Sequence, residues 1–193
     1  SAFGTAWHMT VTLGGARPGE WVLVPSASGG VGSACVQVAK HLGCRVVATA
    51  SSKAKAARVR DLGADHVLEY PQLDVAGEVL RLTRGRGVDV ILELVGGSNI
   101  GADLACLAHR GRLIVGGAHA GEIVPVDFVS MFRKEAQILG ARRSTRLELE
   151  TVVRLVGEGK LKSVIDTVLP LSQAAQAHRL LESRGNFGKI LLI

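Results

Sequence analysis

The sequence predicts an α/β protein built on a doubly wound, six-stranded parallel sheet. Three observations lead there. Strand-like runs alternate with helical ones along most of the chain. The apolar strands, such as V-D-V-I-L-E-L-V and G-R-L-I-V-G-G, lack the polar alternation of a sheet with one wet face, so helices should cover both faces. Glycine is abundant, at 24 of 193 residues, while aromatics make up only 4%, a bias toward small aliphatic packing and tight turns.

The elements follow in order. A strand at Trp21–Val24 leads to a helix at Val31–Leu42, Arg45–Ala50 to Lys53–Leu62, and His66–Glu69 to Val75–Thr83. Val88–Val95 is the fourth strand, with a helix around Ile100–Ala108. Arg112–Val115 is the fifth, with a helix around Phe128–Lys134, and Gln137–Ala141 is the sixth. Right-handed crossovers make the doubly wound topology the leading arrangement. A helix at Glu148–Val156 follows, and the turn G-E-G-K-L marks a boundary. Beyond it lie a strand around Val164–Leu169, a helix from near Ser172 and a last strand K-I-L-L-I, too little to bury a core alone. With the helix around Thr5–Leu13, these elements are expected to belong to a second domain. The division is residues 1–13 as a remnant of that domain, 14–158 as the sheet domain and 159–193 as the second domain's C-terminal segment.

Composition excludes several classes. With 47% apolar residues the chain is not disordered. Cys35, Cys44 and Cys106 are an odd number without a C-x-x-C pair, which fits a reducing compartment, and a cytoplasmic location is expected. No run approaches the roughly 18 apolar residues of a membrane span, so no membrane partner is expected. A net charge of +6 could mean nucleic-acid binding, but the basic residues are dispersed and the single Tyr70 with four Phe offers no base-stacking platform. A phosphate-bearing small ligand accounts for part of the charge more economically.

The strongest local signal is W-V-L-V-P-S-A-S-G-G-V-G-S-A, an apolar strand running through small residues into a helix. Gly29, with Gly30 and Val31 beside it, lets backbone approach a pyrophosphate. Gly32 permits close packing of helix on strand, and the helix-start N–H groups face the anion. Ala27 stands at the first glycine position of the G-x-G-x-x-G pattern, and Pro25 removes a backbone donor at the strand end. On the first of several βα units, this is the phosphate turn of a Rossmann fold, and the expected ligand is a dinucleotide. An acid at the end of the second strand would hold an NAD ribose, but that place is Ala50, and no carboxylate occurs from Val46 to Arg60. Ser51, Ser52, Lys53, Lys55 and Arg58 cluster there instead and suit a 2′-phosphate, so NADPH (NADP) is the expected cofactor. The bland alternative is a solvated helix face.

The stretch from P-G-E-W-V-L-V-P through V-V-A-T-A-S-S-K-A-K, with L-G-A-D-H-V-L-E-Y, G-R-G-V-D-V-I-L-E-L-V-G-G, L-A-H-R-G-R-L-I-V-G-G and F-G-K-I-L-L-I, closely resembles the cofactor domain of medium-chain dehydrogenase/reductases over nearly the whole chain. A-S-G-G-V-G is similar to quinone oxidoreductases, while T-A-W-H-M, G-G-A-H-A-G and A-Q-I-L-G are similar to alcohol-dehydrogenase-like members. The resemblance implies NADPH-dependent hydride transfer with a quinone, enal or carbonyl/alcohol as small-molecule substrate. It also implies that an N-terminal substrate domain, holding most catalytic residues, lies outside this sequence. It would put Ser51 and Lys55 on the 2′-phosphate and Tyr70 beside the adenosine. Leu94, Val115, Gly116, Gly117 and Leu139, at the ends of strands four to six, would flank the nicotinamide. A homodimer through residues 123–142 is also expected, because the sixth strand leaves an unpaired edge.

Zinc is left open with absence favoured. The six histidines show no metal-ligand spacing, and Ser1 stands where zinc members of the family place a cysteine. His119, beside the expected nicotinamide turn, is the one histidine kept as an active-site neighbour. Two other readings compete: an inactive nucleotide-binding module working as a sensor or structural partner, and, lower, a methyltransferase, whose cofactor needs no pyrophosphate cradle.

Overall fold

The computed structural model describes residues 1–70 and 73–193. Its centre is a six-stranded parallel sheet: β1 (Trp21–Val24), β2 (Arg45–Ala50), β3 (His66–Glu69), β4 (Val88–Glu93), β5 (Leu107–Val115) and β6 (Gln137–Gly140). They lie in the order β3-β2-β1-β4-β5-β6, so the strand order reverses between β1 and β4. Crevices outside the carboxyl ends of strands open at such switch points. The expected Rossmann arrangement is present.

The unbroken apolar strands have a direct cause. In β1, Val22 and Val24 face one core and Leu23 the other, and in β2, Val46 and Ala48 oppose Val47 in the same way. Every one of these side chains is fully buried, so neither face tolerates polar residues. One core lies under α2 (Gly30–His41), the other under α4 (Val75–Leu82) and α5 (Asn99–Cys106). The helix α3 (Lys53–Asp61) is capped by Ser52, whose hydroxyl accepts from Lys55 N–H.

The largest boundary difference from the sequence reading lies at the fifth strand, while other ends move by three residues or fewer. The helix expected to reach Ala108 ends at Cys106, and β5 begins at Leu107 instead of Arg112. Leu107 pairs with Val88 before the register slips, and Arg110, with left-handed backbone at φ 58°, donates its N–H to Lys134 O. A bulged strand has no period-2 pattern for sequence reasoning to find. Beyond it, α6 (Phe128–Arg133) leads into β6, which pairs only with β5 and forms a sheet edge.

Both flanks pack on this unit. The first helix, α1 (Ala2–Trp7), continues through a π-helical turn at His8–Leu13, and Ala6 and Met9 are fully buried in the α2 core. The helix α7 (Arg146–Gly157) starts with a capping box between Thr145 and Glu148. Glu148 also accepts from Thr12 Oγ1 and pairs with His8 Nδ1 at 2.9 Å, tying the π-turn to α7. After α7, β7 (Ile165–Leu169), α8 (Ala174–Glu182) and β8 (Lys189–Leu192) make a separate two-stranded parallel unit. Leu161 and Phe187 anchor it in the α2 core, and a single bridge joins Gly188 to Gly29.

Candidate functional site: a cleft at the strand reversal

The β1–α2 turn is fixed by sterics. A Cβ added at Gly32 would lie 2.4 Å from Ser26 O and 2.9 Å from Ala27 Cα, both backbone atoms, so only glycine lets the helix approach this closely. Ala27 is fully buried and donates its N–H to Thr49 O at 3.1 Å, while Ser26 N–H donates to Thr49 Oγ1 at 3.0 Å. Gly29 is the N-cap of α2 and supplies no side-chain cap, so the first-turn N–H groups gain no partner from it. Twelve residues of helix dipole therefore end at a glycine-lined opening, a geometry suited to a phosphate.

Two adjoining cavities open over this turn. One, of about 660 Å³, is lined by Gly29, Gly30, Ser51, Lys55, Asn186 and Lys189, among others. The second, of about 710 Å³, is lined by Thr49, Val95, Asn99, Asp103 and His119, among others. Ser26, Tyr70 and Arg184 line both, so the two form one continuous cleft across the switch point. Ser26 and Arg184 each have φ of 54°, left-handed for a residue with a Cβ, and such strain of about 1–3 kcal/mol collects where a ligand site demands it.

Of the sequence-predicted residues, the structure brings Gly29, Gly30, Ser51, Lys55 and Tyr70 together in the cleft wall. Ala50, in place of the ribose-holding acid, is fully buried opposite Glu69. Ala27 and Gly32 shape the turn from beneath, and Val31 packs on the α2 core. The strand-end residues Leu94, Val115, Gly116, Gly117 and Leu139 line neither cavity. Met9 Sδ would lie 2.7 Å from a Cβ on Gly116, and Leu94 O 2.3 Å from one on Gly117. His119 does reach the cleft.

Sequence reasoning missed the cleft's far wall. Lys55 Nζ donates to Arg184 O at 2.5 Å, and Lys189 lays its stem across Gly30, where a Cβ would come within 2.3 Å of Lys189 Cδ. Arg58 rests its guanidinium 4.1 Å from the Phe187 ring centre and pairs with Asp166 at 3.3 Å. Arg184, Phe187 and Lys189 sit in S-R-G-N-F-G-K, more than 120 positions after the phosphate turn, and the glycine-punctuated basic turn itself is the one local signal that could have found them.

The family described as zinc-binding dehydrogenase matches residues 30–186. The chain belongs to that family. Its medium-chain dehydrogenase/reductase character extends through its relatives. It is 36% identical over 186 residues to a quinone oxidoreductase of Rattus norvegicus, covering 92% of this chain and 56% of the relative. Among solved structures, an NAD-dependent alcohol dehydrogenase superposes with TM-score 0.94 at 42% identity, over 99% of this chain and 56% of the other. A mycobacterial protein complexed with NADPH superposes with TM-score 0.88 at 30% identity, over 100% of this chain and 62% of the other. The chain thus spans between half and two thirds of each of these proteins.

Among the described residues no three His, Cys, Asp or Glu side chains converge into a group that could hold a metal ion. All three cysteines are buried, and loss of hydration pushes the thiols of Cys35 and Cys106 up to about 12. Among the described residues no helix is long and apolar enough to cross a membrane.

Proposed function

We propose that this dehydrogenase binds NADPH in the cleft and takes part in hydride transfer between the nicotinamide and a quinone, enal or carbonyl/alcohol substrate. The observation that carries the reading is the meeting of the glycine-lined α2 N-terminus with Ser51, Lys55, Lys189 and Arg184, while Ala50 replaces the acid that would repel a 2′-phosphate. The dinucleotide supplies the hydride; the chain's own residues bind and orient it. The N–H groups of α2 receive the pyrophosphate, Ser51 and Lys55 the 2′-phosphate, and Tyr70 borders the adenosine. Val95, His119 and Ala120, which line the cleft just past the ends of β4 and β5, would border the nicotinamide. Residues 1–13 and 159–193 belong, in this reading, to a domain that closes over it.

The test is paired titration with NADPH and NADH, followed by hydride transfer to a quinone and to an aldehyde. Tighter binding of NADPH supports the reading, and equal affinity for both overturns the phosphate assignment. A preference for NADH is the second reading, favoured by the 42% identity to an NAD-dependent alcohol dehydrogenase and by the Lys55 ammonium already engaged on Arg184 O.

Association through residues 123–142 is part of the proposal. This segment holds the edge strand β6 and also Ile123, Phe128 and Phe132, which are 96%, 73% and 66% exposed. Light scattering should show a dimer that Phe132→Glu dissociates; a monomeric wild type at high concentration would count against it.

A further inference from the structure

Glu93 ends β4 and is fully buried. Its Oε1 accepts the N–H groups of Val95 and, at 2.8 Å, of Gly96. Its Oε2 has no partner, and neither does Oδ2 of Asp103, a residue on α5 that is only 5% exposed. Each acid thus keeps one buried carboxyl oxygen without a partner, and Glu93 stands close enough for its hydrogen bond and charge to push the Asp103 carboxyl up. Two carboxylates have only acceptors to offer each other, so the contact requires a proton, and one proton satisfies both orphan oxygens. Among the described residues no cation forms a salt bridge with either carboxyl. Lys134, after α6, spends its ammonium on Leu104 O and Ala105 O, at 2.7 and 2.8 Å. The neutral Cys106 thiol donates to Asp103 O at 3.4 Å, and Tyr70, Asp74 before α4, His119 and Arg184 are titratable or charged residues lining the same cavity as Asp103.

The segment that Glu93 holds is a wall of the cleft. Gly96 and Gly97 turn in left-handed conformations, at φ 73° and 62°, and a Cβ on Gly96 would lie 2.8 Å from Ala118 Cα. Val95 O accepts from Ala120 N–H at 2.9 Å, so the β4–α5 turn carries the His119–Ala120 segment with it. Val95, His119 and Ala120 all line the cavity.

We infer that Glu93 and Asp103 share one proton between Oε2 and Oδ2 and, through the other Glu93 oxygen, position the Val95–Gly97 turn for cofactor binding. They are positioning residues. The effect on binding rests on the dinucleotide reading, whereas the proton itself does not. Burial first, and the Glu93 hydrogen bond and charge second, push the Asp103 carboxyl up to about 9, in keeping with a group that stays protonated at neutral pH.

The experiment joins two readouts on wild type, Asp103→Asn and Asp103→Ala. Infrared difference spectra at neutral pH should show the C=O stretch of a buried, protonated carboxyl in wild type and lose it in Asp103→Asn, whose amide can donate to the Glu93 carboxyl without a titrating proton. NADPH affinity should fall about tenfold in Asp103→Ala, the scale of one lost hydrogen bond, yet stay within about twofold of wild type in Asp103→Asn. Wild-type affinity should also weaken as pH rises through about 9, and that of Asp103→Asn should not. Absence of the protonated band, its persistence in Asp103→Asn, or undiminished NADPH binding by Asp103→Ala would overturn the inference. Should wild type bind neither NADPH nor NADH while the band behaves as expected, the positioning role falls with the cofactor reading and the shared proton stands.

Discussion

The cleft has two structural turns that reach the same end by different physics. The β1–α2 turn is held by exclusion: Gly32 leaves no room for a Cβ against Ser26 O, and its polar contacts are main-chain bonds and the Thr49 hydroxyl. The β4–α5 turn is held by a buried acid, with Glu93 receiving two backbone N–H groups and Asp103 behind it. A steric constraint ignores pH, whereas an acid pair with one proton does not. The turn proposed to receive the pyrophosphate is therefore the one with no titrating group in its scaffold, and on that reading solution conditions would act on the phosphates through Lys55 and Arg184 instead.

The sharpest way to break this contrast is Gly32→Val. Helix propensity favours Val over Gly by a few tenths of a kcal/mol, but overlap with backbone at 2.4 Å cannot be relieved by rotating a side chain, and about 3 kcal/mol of stability should be lost. Urea unfolding at several pH values checks this, and the loss should be the same at each. The acid pair should behave in the opposite way. Because Asp103 is raised from 3.8 to about 9, the native state keeps a proton that the unfolded chain releases. The associated stability is fully present below pH 3.8 and is lost as pH climbs through 9, at about 1.4 kcal/mol per pH unit. Unfolding curves from neutral pH to above pH 9 should show that slope in wild type and lack it in Asp103→Asn.

Next in size, Lys55→Ala tests the phosphate side. A charge-assisted bond contributes about 1.5–3 kcal/mol, so NADPH affinity should drop about ten- to hundredfold, NADH affinity should hardly change, and the difference should shrink with added salt. Equal weakening of both would reduce α3's basic turn to a solvated face. The smallest effect belongs away from the cleft, at Glu148. Burial pushes its carboxyl up, but hydrogen bonds from Thr12, Thr145 and His8 outweigh this and hold it at about 2. The stability it contributes is present above pH 4.5 and disappears as pH falls through 2. Glu148→Gln should cost about 1–2 kcal/mol at neutral pH and flatten the acid limb of a stability profile, measured by thermal melts.

How legible the cleft was follows the same division. G-G-V-G after W-V-L-V exposed the phosphate turn because steric demands write themselves into glycine spacing, and the missing acid at Ala50 was visible because a strand end can be located by periodicity. Glu93 and Asp103 left no such mark. In V-D-V-I-L-E-L-V the glutamate is one of two acids in an apolar strand, and nothing local reveals that the other, Asp89, faces Trp21 N–H and Arg86 while Glu93 faces a carboxyl on the next helix.

The sequence by itself determined the alternation of strand and helix, the parallel sheet with both faces covered, and the glycine turn where the first helix starts. Each depends on neighbours a few residues apart, whose side-chain period or missing Cβ is a local property. Only the tertiary structure decided which distant side chains complete the cleft. Arg184 and Lys189 reach Lys55 and Gly30 because β8 and its preceding turn fold back onto α2, and Asp103 finds Glu93 because α5 packs into the same core as β4. Such meetings are set by the packing of elements far apart in the chain, and the free energy that fixes them is shared among many buried side chains rather than carried by a spacing any segment displays.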